Sequence, residues 1–296
     1  MPNLHIGDAV SAIVTWLQEN VAGVFDAIAA ITQWLLDVVL VALTGPPPLV
    51  IVVIAALLAL WARGIGFAVF TVLGLLVVES MQLWTETMET LAIVLVASVI
   101  AVVIGIPTGI WAARSKRASV VVRPVLDFMQ TLPVFVYLIP AVFLFGIGVV
   151  PAVVATFIFA IPPGVRLTEL GLRQVDPEMV EASVAFGATP WQLLRQVQLP
   201  LAVPSIMAGL NQVIMMALSM VVIAGMVGAG GLGAVVVQGI SRLDIAVGFE
   251  GGLAVVFLAI FLDRLTSAFP RPRRRAVAVA DEAPEAVAVQ AVPRVA

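Results

Sequence analysis

Residues 87–113 read TMETLAIVLVASVIAVVIGIPTGIWAA, and no charged side chain occurs between Glu89 and Arg114. An α-helix needs roughly 20 mostly apolar residues to cross the hydrocarbon core of a bilayer. This stretch exceeds that length, and a water-soluble core does not need so long an apolar run. It therefore predicts a membrane-spanning helix.

The rest of the chain has the same character. Of its 296 residues, 62% are hydrophobic and only 11% are charged, whereas about 25% of the residues in a soluble domain are charged. The fold class is therefore predicted to be an all-α polytopic membrane protein with about seven spans. The predicted spans are 47–62, 65–82, 87–113, 124–146, 149–168, 203–228 and 245–265. The short break at residues 63–66, between the first two, is interpreted as either a tight turn or a bend.

The distribution of basic residues predicts an orientation. Lys and Arg in short loops favour the cytoplasmic side of a membrane. With the N-terminus outside, nearly every Lys and Arg near a span end lies in the cytoplasm, and only Arg242 lies outside. The sequence therefore predicts an N-out, C-in topology, which requires an odd number of spans.

The two ends of the chain differ from the transmembrane part, 46–268. In residues 1–45, acidic residues interrupt an apolar pattern, which predicts amphipathic helices lying on the membrane or on the protein rather than spanning it. In 269–296, a basic run (271–275) is expected either to face anionic headgroups or to act only as a stop-transfer signal. The Ala- and Val-rich tail after it is predicted to be disordered.

The composition argues against several classes of chemistry. The chain has no cysteine, and its one histidine, His5, is near the N-terminus. Its one lysine, Lys116, lies in RSKRAS, so no G-x-x-x-x-G-K-[ST] phosphate loop is present. The sequence thus predicts a non-catalytic chain with no cofactor or metal of its own.

Few carboxylates lie near the predicted membrane core. Asp127 follows Arg123 by four residues, and Asp263 directly precedes Arg264. Each acid is predicted to pair with that arginine near the inner surface rather than to relay protons.

A polar loop, 169–202, joins the fifth and sixth predicted spans. Asp176-Pro177 is typical of a helix start, and Gly187 of a helix end. Thr189-Pro190 predicts a second short helix through Val197, with Leu199-Pro200 ending it. Two short helices at an angle on the cytoplasmic side indicate a docking element.

This loop resembles the EAA motif of ABC importer permeases, E-A-A-x3-G-x9-I-x-L-P, at every spacing. The residues at the motif positions, which the resemblance implies contact an ATPase subunit, are Glu181, Ala182, Ser183, Gly187, Val197, Leu199 and Pro200. Ser183 stands where the motif has its second Ala, and Val197 where it has Ile. In that family the loop fits a groove on the ATP-binding subunit, and nucleotide-driven closure there moves the transmembrane helices.

Further stretches resemble the permeases of glycine betaine/proline (quaternary-amine) importers. They are 123–148, 161–171, 211–233 and 239–248. The resemblance implies a type I ABC importer permease fold, a second permease copy, two ATPase subunits that bind ATP and Mg, and an extracytoplasmic substrate-binding protein. It also implies a multi-pass protein of the bacterial plasma (inner) membrane that takes up compatible solutes, with no nucleic-acid partner.

A translocation path needs a few polar groups and breakable helices. Candidates in the fourth and sixth predicted spans are Gln130, Thr131, Pro133, Tyr137, Asn211, Gln212, Met215 and Ser219. Asn211, Met215, Leu218 and Ser219 are expected to share a helical face. Alternatively, these polar groups only form hydrogen bonds between helices. The glycine-rich run 225–233 is interpreted as a flexible, close-packed turn near an outer gate.

Other functions remain open at this point. The same type of permease could carry choline, carnitine or another small osmolyte. A stand-alone secondary transporter or channel would be expected to show inverted repeats or coupling charges, and neither is apparent in the sequence. A membrane-embedded enzyme would need catalytic groups that the sequence does not offer.

Overall fold

The computed structural model describes residues 6–268, and all secondary structure within that range is helical. The basic run, the tail and His5 lie outside the described residues. The helices are α1 Ile6–Asn20, α2 Ala22–Thr44, α3 Pro48–Arg63, α4 Ile65–Ser80, α5 Trp84–Arg114, α6 Lys116–Thr131, α7 Val134–Phe145, α8 Val149–Arg173, α9 Pro177–Ala185, α10 Pro190–Gln192, α11 Leu199–Ala224, α12 Gly231–Arg242 and α13 Ile245–Thr266. A π-helical turn, Leu193–Gln198, joins α10 to α11, and a 3-10 turn, Gly225–Val227, follows α11.

Helices α5, α8 and α11 form the centre of the molecule, where small residues allow close packing. A Cβ atom on Gly109 of α5 would lie 2.6 Å from the Cβ of Thr168 in α8. A Cβ atom on Gly171 of α8 would lie 2.7 Å from the Cβ of Ser205 in α11. Membrane helices lack a hydrophobic driving force for association, so such close backbone approach supplies much of their packing energy.

The N-terminal region is helical, as predicted, but whether it crosses the membrane stays a prediction. Helix α2 has 23 residues and by length and composition could cross a membrane, whereas its two carboxylates, Asp26 and Asp37, favour a position on the membrane or on the protein. One of them is accommodated locally, because Asp37 accepts a 2.8 Å hydrogen bond from Gln33 one turn earlier. The carboxylates alone therefore do not exclude this helix from the bilayer.

The first two predicted spans form a short hairpin. Helices α3 and α4 have 16 residues each, which at 1.5 Å per residue gives about 24 Å, less than the ~30 Å hydrocarbon core. Gly64 between them has φ +83°, a conformation that glycine adopts at little cost. This break is therefore a tight turn. The sequence allowed either a tight turn or a bend at this position.

The fourth predicted span, 124–146, is not one helix. It is divided between α6 and α7, whose axes differ by 98°. The break lies at Leu132-Pro133, where Leu132 has an extended backbone with ψ 134°. A residue before proline is driven out of the helical region by the proline ring, so α6 must end there.

Within residues 6–268, five helices are long and apolar enough to span a membrane, or six if α6 and α7 together form one span. The last of them, α13, runs unbroken through Glu250-Gly251-Gly252, as the predicted span 245–265 requires. The total number of spans depends on whether α3, α4 and the α6–α7 pair cross the bilayer. The seven spans and the N-out, C-in orientation therefore stay predictions.

Candidate functional site

The segment between α8 and α11, residues 174–198, begins and ends with local signals. The Asp176 carboxylate accepts a 2.9 Å hydrogen bond from the backbone N–H of Glu178 and so caps α9. After α9, Gly187 has φ +83°, and the N–H of Ala188 donates to the carbonyl of Ser183 at 3.0 Å. The predicted start and end of this short helix are thus confirmed.

The second short helix also starts as predicted. The Thr189 hydroxyl accepts from the N–H of Gln192 at 3.3 Å, and the Gln192 side chain accepts from the N–H of Thr189 at 2.8 Å. This reciprocal capping box fixes the direction in which the chain leaves the turn at Gly187.

The predicted stop at Leu199-Pro200 is wrong, because the helix continues into α11. Proline cannot donate the backbone hydrogen bond of a regular helix. The chain accommodates it with a π-helical turn, in which the N–H of Leu199 donates to the carbonyl of Leu194, five residues earlier. The predicted loop 169–202 is correspondingly shorter, since its first residues belong to α8 and its last to α11.

A small apolar cluster anchors the 174–198 segment to the central helices. Leu194 is 2% exposed and packs with Leu172 of α8 and Ala202 of α11, while Ile110 of α5 lies against them. A displacement of the segment is therefore resisted by contacts with all three central helices.

The opposite side of the segment is exposed. No residue of α9 is buried, and the apolar side chains of Phe186 (93% exposed) and Trp191 project from the turn. Of the seven residues in the predicted motif, Glu181, Ala182, Gly187 and Pro200 are exposed, and Ser183, Val197 and Leu199 are partly buried. A cavity of about 450 Å³ beside α9 is lined by Glu181, Arg114 and Arg173, among others. Exposed apolar groups on a well-anchored support are typical of a docking surface.

The bend between α6 and α7 is held by Tyr137. Its side chain is 9% exposed, and its hydroxyl lies 2.7 Å from the carbonyl of Met129 and 2.9 Å from that of Leu132. In a continuous helix the Met129 carbonyl would accept from residue 133, but Pro133 has no N–H. Tyr137 therefore satisfies the carbonyl that the bend leaves without a helical partner.

The other candidates of the fourth predicted span, Gln130, Thr131 and Pro133, are exposed at the bend. In α11, Gln212, Met215 and Ser219 form an exposed stripe. The predicted shared face is divided, because Leu218 is buried and Asn211 faces α13.

Asn211 connects α11 to α13 through hydrogen bonds. Its side-chain amide donates to Asp263 at 2.9 Å and accepts from the hydroxyl of Thr266 at 2.6 Å. These bonds match the alternative in which the polar group joins two helices. The predicted pair of Asp263 with Arg264 is accordingly wrong; the Arg264 guanidinium lies over the ring of Phe70 instead.

The predicted pair of Asp127 with Arg123 is wrong as well. Asp127 pairs with Arg166 of α8, while Arg123 pairs with Glu169 at 3.0 Å. No role for Glu169 is predicted from the sequence. A usable signal was present, since Glu169 and Arg173 are four residues apart in one helix, the spacing at which side chains on a helix meet.

The glycine-rich run is close-packed, as predicted, and it is also anchored. The N–H of Gly231 donates to the Glu89 carboxylate at 2.8 Å, and the N–H of Leu232 donates to the Thr90 hydroxyl at 2.8 Å. A Cβ atom on Gly230 would lie 2.9 Å from Glu89. These bonds hold the start of α12 against α5.

Comparisons with known proteins place this architecture. Residues 105–275 match the family model described as "Binding-protein-dependent transport system inner membrane component". The glycine betaine/proline betaine transport system permease protein ProW of Escherichia coli is 49% identical over 88% of this chain and 74% of its own length. The glycine betaine transport system permease protein OpuAB of Bacillus subtilis is 46% identical over 90% of this chain and 94% of its own length.

A further relative and a solved structure agree with this. The glycine betaine/carnitine transport permease protein GbuB of Listeria monocytogenes is 50% identical over 84% of this chain and 86% of its own length. A chain of the inward-facing MetNI methionine ABC transporter superposes with a TM-score of 0.56 and 27% identity, over 62% of this chain and 94% of that one. This chain is an all-α membrane protein that belongs to the family of inner membrane components of binding-protein-dependent transport systems.

Proposed function

We propose that this chain is the permease subunit of an ATP-driven importer of glycine betaine and related compatible solutes. The observation that carries the proposal is the 174–198 segment, which is anchored on one side to α5, α8 and α11 and exposes Phe186 and Trp191 on the other. The names of the relatives support the substrate class, since three of them are permeases of glycine betaine transport systems.

ATP hydrolysis takes place on a separate ATPase subunit, which docks on the exposed side of this segment. The chain itself has no phosphate-binding loop. Because Leu194 packs against Leu172 and Ala202, a push on the segment moves the ends of α8 and α11. The residues of the motif thus transmit the work of the ATPase to the central helices.

The translocation path is completed by a second copy of the chain. Gln212, Met215 and Ser219 are exposed along α11, as are Gln130 and Thr131 at the bend, so a path beside them needs another surface opposite. Methionine is polarisable and adaptable, which suits weak contact with a bulky trimethylammonium group. An extracytoplasmic binding protein delivers the solute to this path.

A second candidate substrate is carnitine. One relative is named a glycine betaine/carnitine permease, and carnitine carries the same trimethylammonium group and a carboxylate. Competition between unlabelled carnitine and radiolabelled glycine betaine during uptake separates the two substrates.

Gly187 offers a sharp test of coupling. No atom lies within 4 Å of a Cβ at this position, so a substitution there is limited by φ +83° rather than by space. A β-branched residue is strained at this φ, whereas asparagine tolerates it. In proteoliposomes with the cognate ATPase and binding protein, Gly187→Val should lower glycine betaine uptake at least tenfold, and Gly187→Asn should lower it less than threefold.

The outcomes separate the parts of the proposal. Uptake that persists without the ATPase would overturn the assignment to an ATP-driven importer. ATPase activity that glycine betaine does not stimulate would overturn the assigned substrate class but would still be consistent with an ATP-driven importer. Equal losses in Gly187→Val and Gly187→Asn would show that the left-handed turn is not what coupling requires.

A further inference from the structure

Glu169 is a buried carboxylate at the end of α8 that leads into the 174–198 segment. The residue is 2% exposed. Its Oε1 accepts from the Ser119 hydroxyl at 2.8 Å and from the guanidinium groups of Arg123 at 3.0 Å and Arg173 at 2.9 Å. A buried charge is tolerated only while such partners stay in place.

These bonds join three helices. Ser119 and Arg123 belong to α6, and Glu169 and Arg173 belong to α8. Arg173 also donates to the backbone carbonyl of Ala112 in α5 at 3.0 Å. The carboxylate thus fixes α6 to the last turn of α8, next to the point where the 174–198 segment begins.

Helix α6 leads from this junction to the bend. It ends at Thr131, beyond which the chain turns by 98° into α7. Gln130 and Thr131, two of the candidate path residues, are exposed at that end. A displacement of α8 that carries α6 with it therefore reaches the bend.

We propose that Glu169 is a positioning residue for coupling: it transmits movement of the 174–198 segment through α6 to the bend between α6 and α7. The proposal rests on the proposed function, because it assumes that an ATPase moves that segment. Since a buried carboxylate with three donors resists separation far more than an exposed ion pair does, α6 follows α8 instead of sliding along it.

The chain offers a matched control in the pair Asp127–Arg166. It joins the same two helices, α6 and α8, and has the same charges. Its side chains are 65% and 40% exposed, whereas the Glu169 side chain is 3% exposed, so protein does not enclose this pair. Asp127→Asn thus removes one carboxylate charge from the same helix pair without disturbing a buried group.

Two variants test Glu169. Glu169→Gln keeps the shape of the side chain and an acceptor for Ser119 but removes the charge. Arg123→Gln removes only the ion pair to α6. Because the Arg123 side chain is 59% exposed, we expect this variant to fold. Each is reconstituted with the cognate ATPase and binding protein, and the number of glycine betaine molecules transported per ATP hydrolysed is measured.

We expect Glu169→Gln and Arg123→Gln to lower the ratio of transport to hydrolysis at least fivefold, while Asp127→Asn stays within twofold of wild type. A merely structural role would lower transport and hydrolysis together and leave their ratio unchanged, which would overturn the proposal. An equal fall of the ratio in Asp127→Asn would overturn the assignment to the buried carboxylate. If Glu169→Gln does not assemble with the ATPase, Arg123→Gln decides the question by the same criterion.

A distance measurement tests the link without transport. The chain has no cysteine, so spin labels can be attached to cysteines introduced at Val121 on α6 and at Leu201 on α11, just after the 174–198 segment; both residues are more than half exposed. With the ATPase bound, addition of nucleotide should shift α6 and the start of α11 as one unit, so the distance between the two labels of one copy keeps a narrow distribution, and Arg123→Gln should broaden it. A distribution as narrow in Arg123→Gln as in wild type would overturn the link. This readout holds even if glycine betaine is not the substrate.

Discussion

The 174–198 segment and the bend between α6 and α7 both redirect the chain, but by different means. The segment is shaped by neighbours in sequence: Asp176 caps α9, Gly187 ends it and Thr189 caps the next turn. The bend is set by Pro133 and held by Tyr137, whose hydroxyl lies within hydrogen-bond distance of carbonyls five and eight residues away. The shape of the segment is thus fixed by its own short-range signals, whereas the bend also relies on a side chain from the next helix.

The largest expected effect comes from detaching the segment from its support. Leu194→Ala removes a buried side chain that packs against α8 and α11, and such substitutions cost about 2–5 kcal/mol. Thermal unfolding in detergent should show a clear loss of stability. Leu201, 51% exposed on α11, is the control, and Leu201→Ala should change little. Equal shifts in the two variants would contradict the anchoring role of the cluster.

A smaller effect is expected at the bend. Tyr137→Phe keeps the ring but removes the hydroxyl that donates to the carbonyl of Met129 or Leu132, and a partly buried carbonyl left without its donor should cost about 1–3 kcal/mol. Thermal unfolding measures the loss. Thr131→Val is the control, since it removes an exposed hydroxyl from the same bend and should cost less than about 0.5 kcal/mol. An unchanged melting temperature in Tyr137→Phe would mean that the bend does not need this hydroxyl.

The same contrast explains what the sequence could predict. The helix starts at Asp176 and Thr189 and the end at Gly187 were predicted because capping depends on residues within a few positions. At Pro133 the sequence predicts a breakable helix but not two separate helices, because the apolar length of 124–146 favours a single span. Hydropathy measures length and composition, and it contains no information on a 98° change of direction.

The ion pairs show most clearly which contacts cannot be predicted from the sequence. For Asp127 and Asp263 the sequence predicts pairing with the nearest arginine, and both predictions are wrong. The actual partner of Asp127 is 39 residues away, and that of Asp263, Asn211, is 52 residues away. Such contacts follow from how helices pack, which a single sequence does not specify. The continuation of α11 through Pro200 was missed for a different reason, because a π-helical turn has no simple sequence signature.

The smallest expected effect on stability separates docking from folding. Phe186 is 93% exposed at the turn before Gly187, so Phe186→Ser should change the stability of the chain by no more than about 0.5 kcal/mol. The same change should weaken binding of the cognate ATPase at least tenfold, because exposed aromatic side chains that become buried at an interface often dominate its binding energy. Isothermal titration of the detergent-solubilised chain with the ATPase measures this binding.

Phe249 is also exposed, at 69%, and Phe249→Ser is the control on a different helix. Weaker binding in Phe186→Ser alone supports docking on the 174–198 segment. Unchanged binding there would show that the ATPase docks elsewhere, and a comparable loss in both variants would point to a general effect on the solubilised chain.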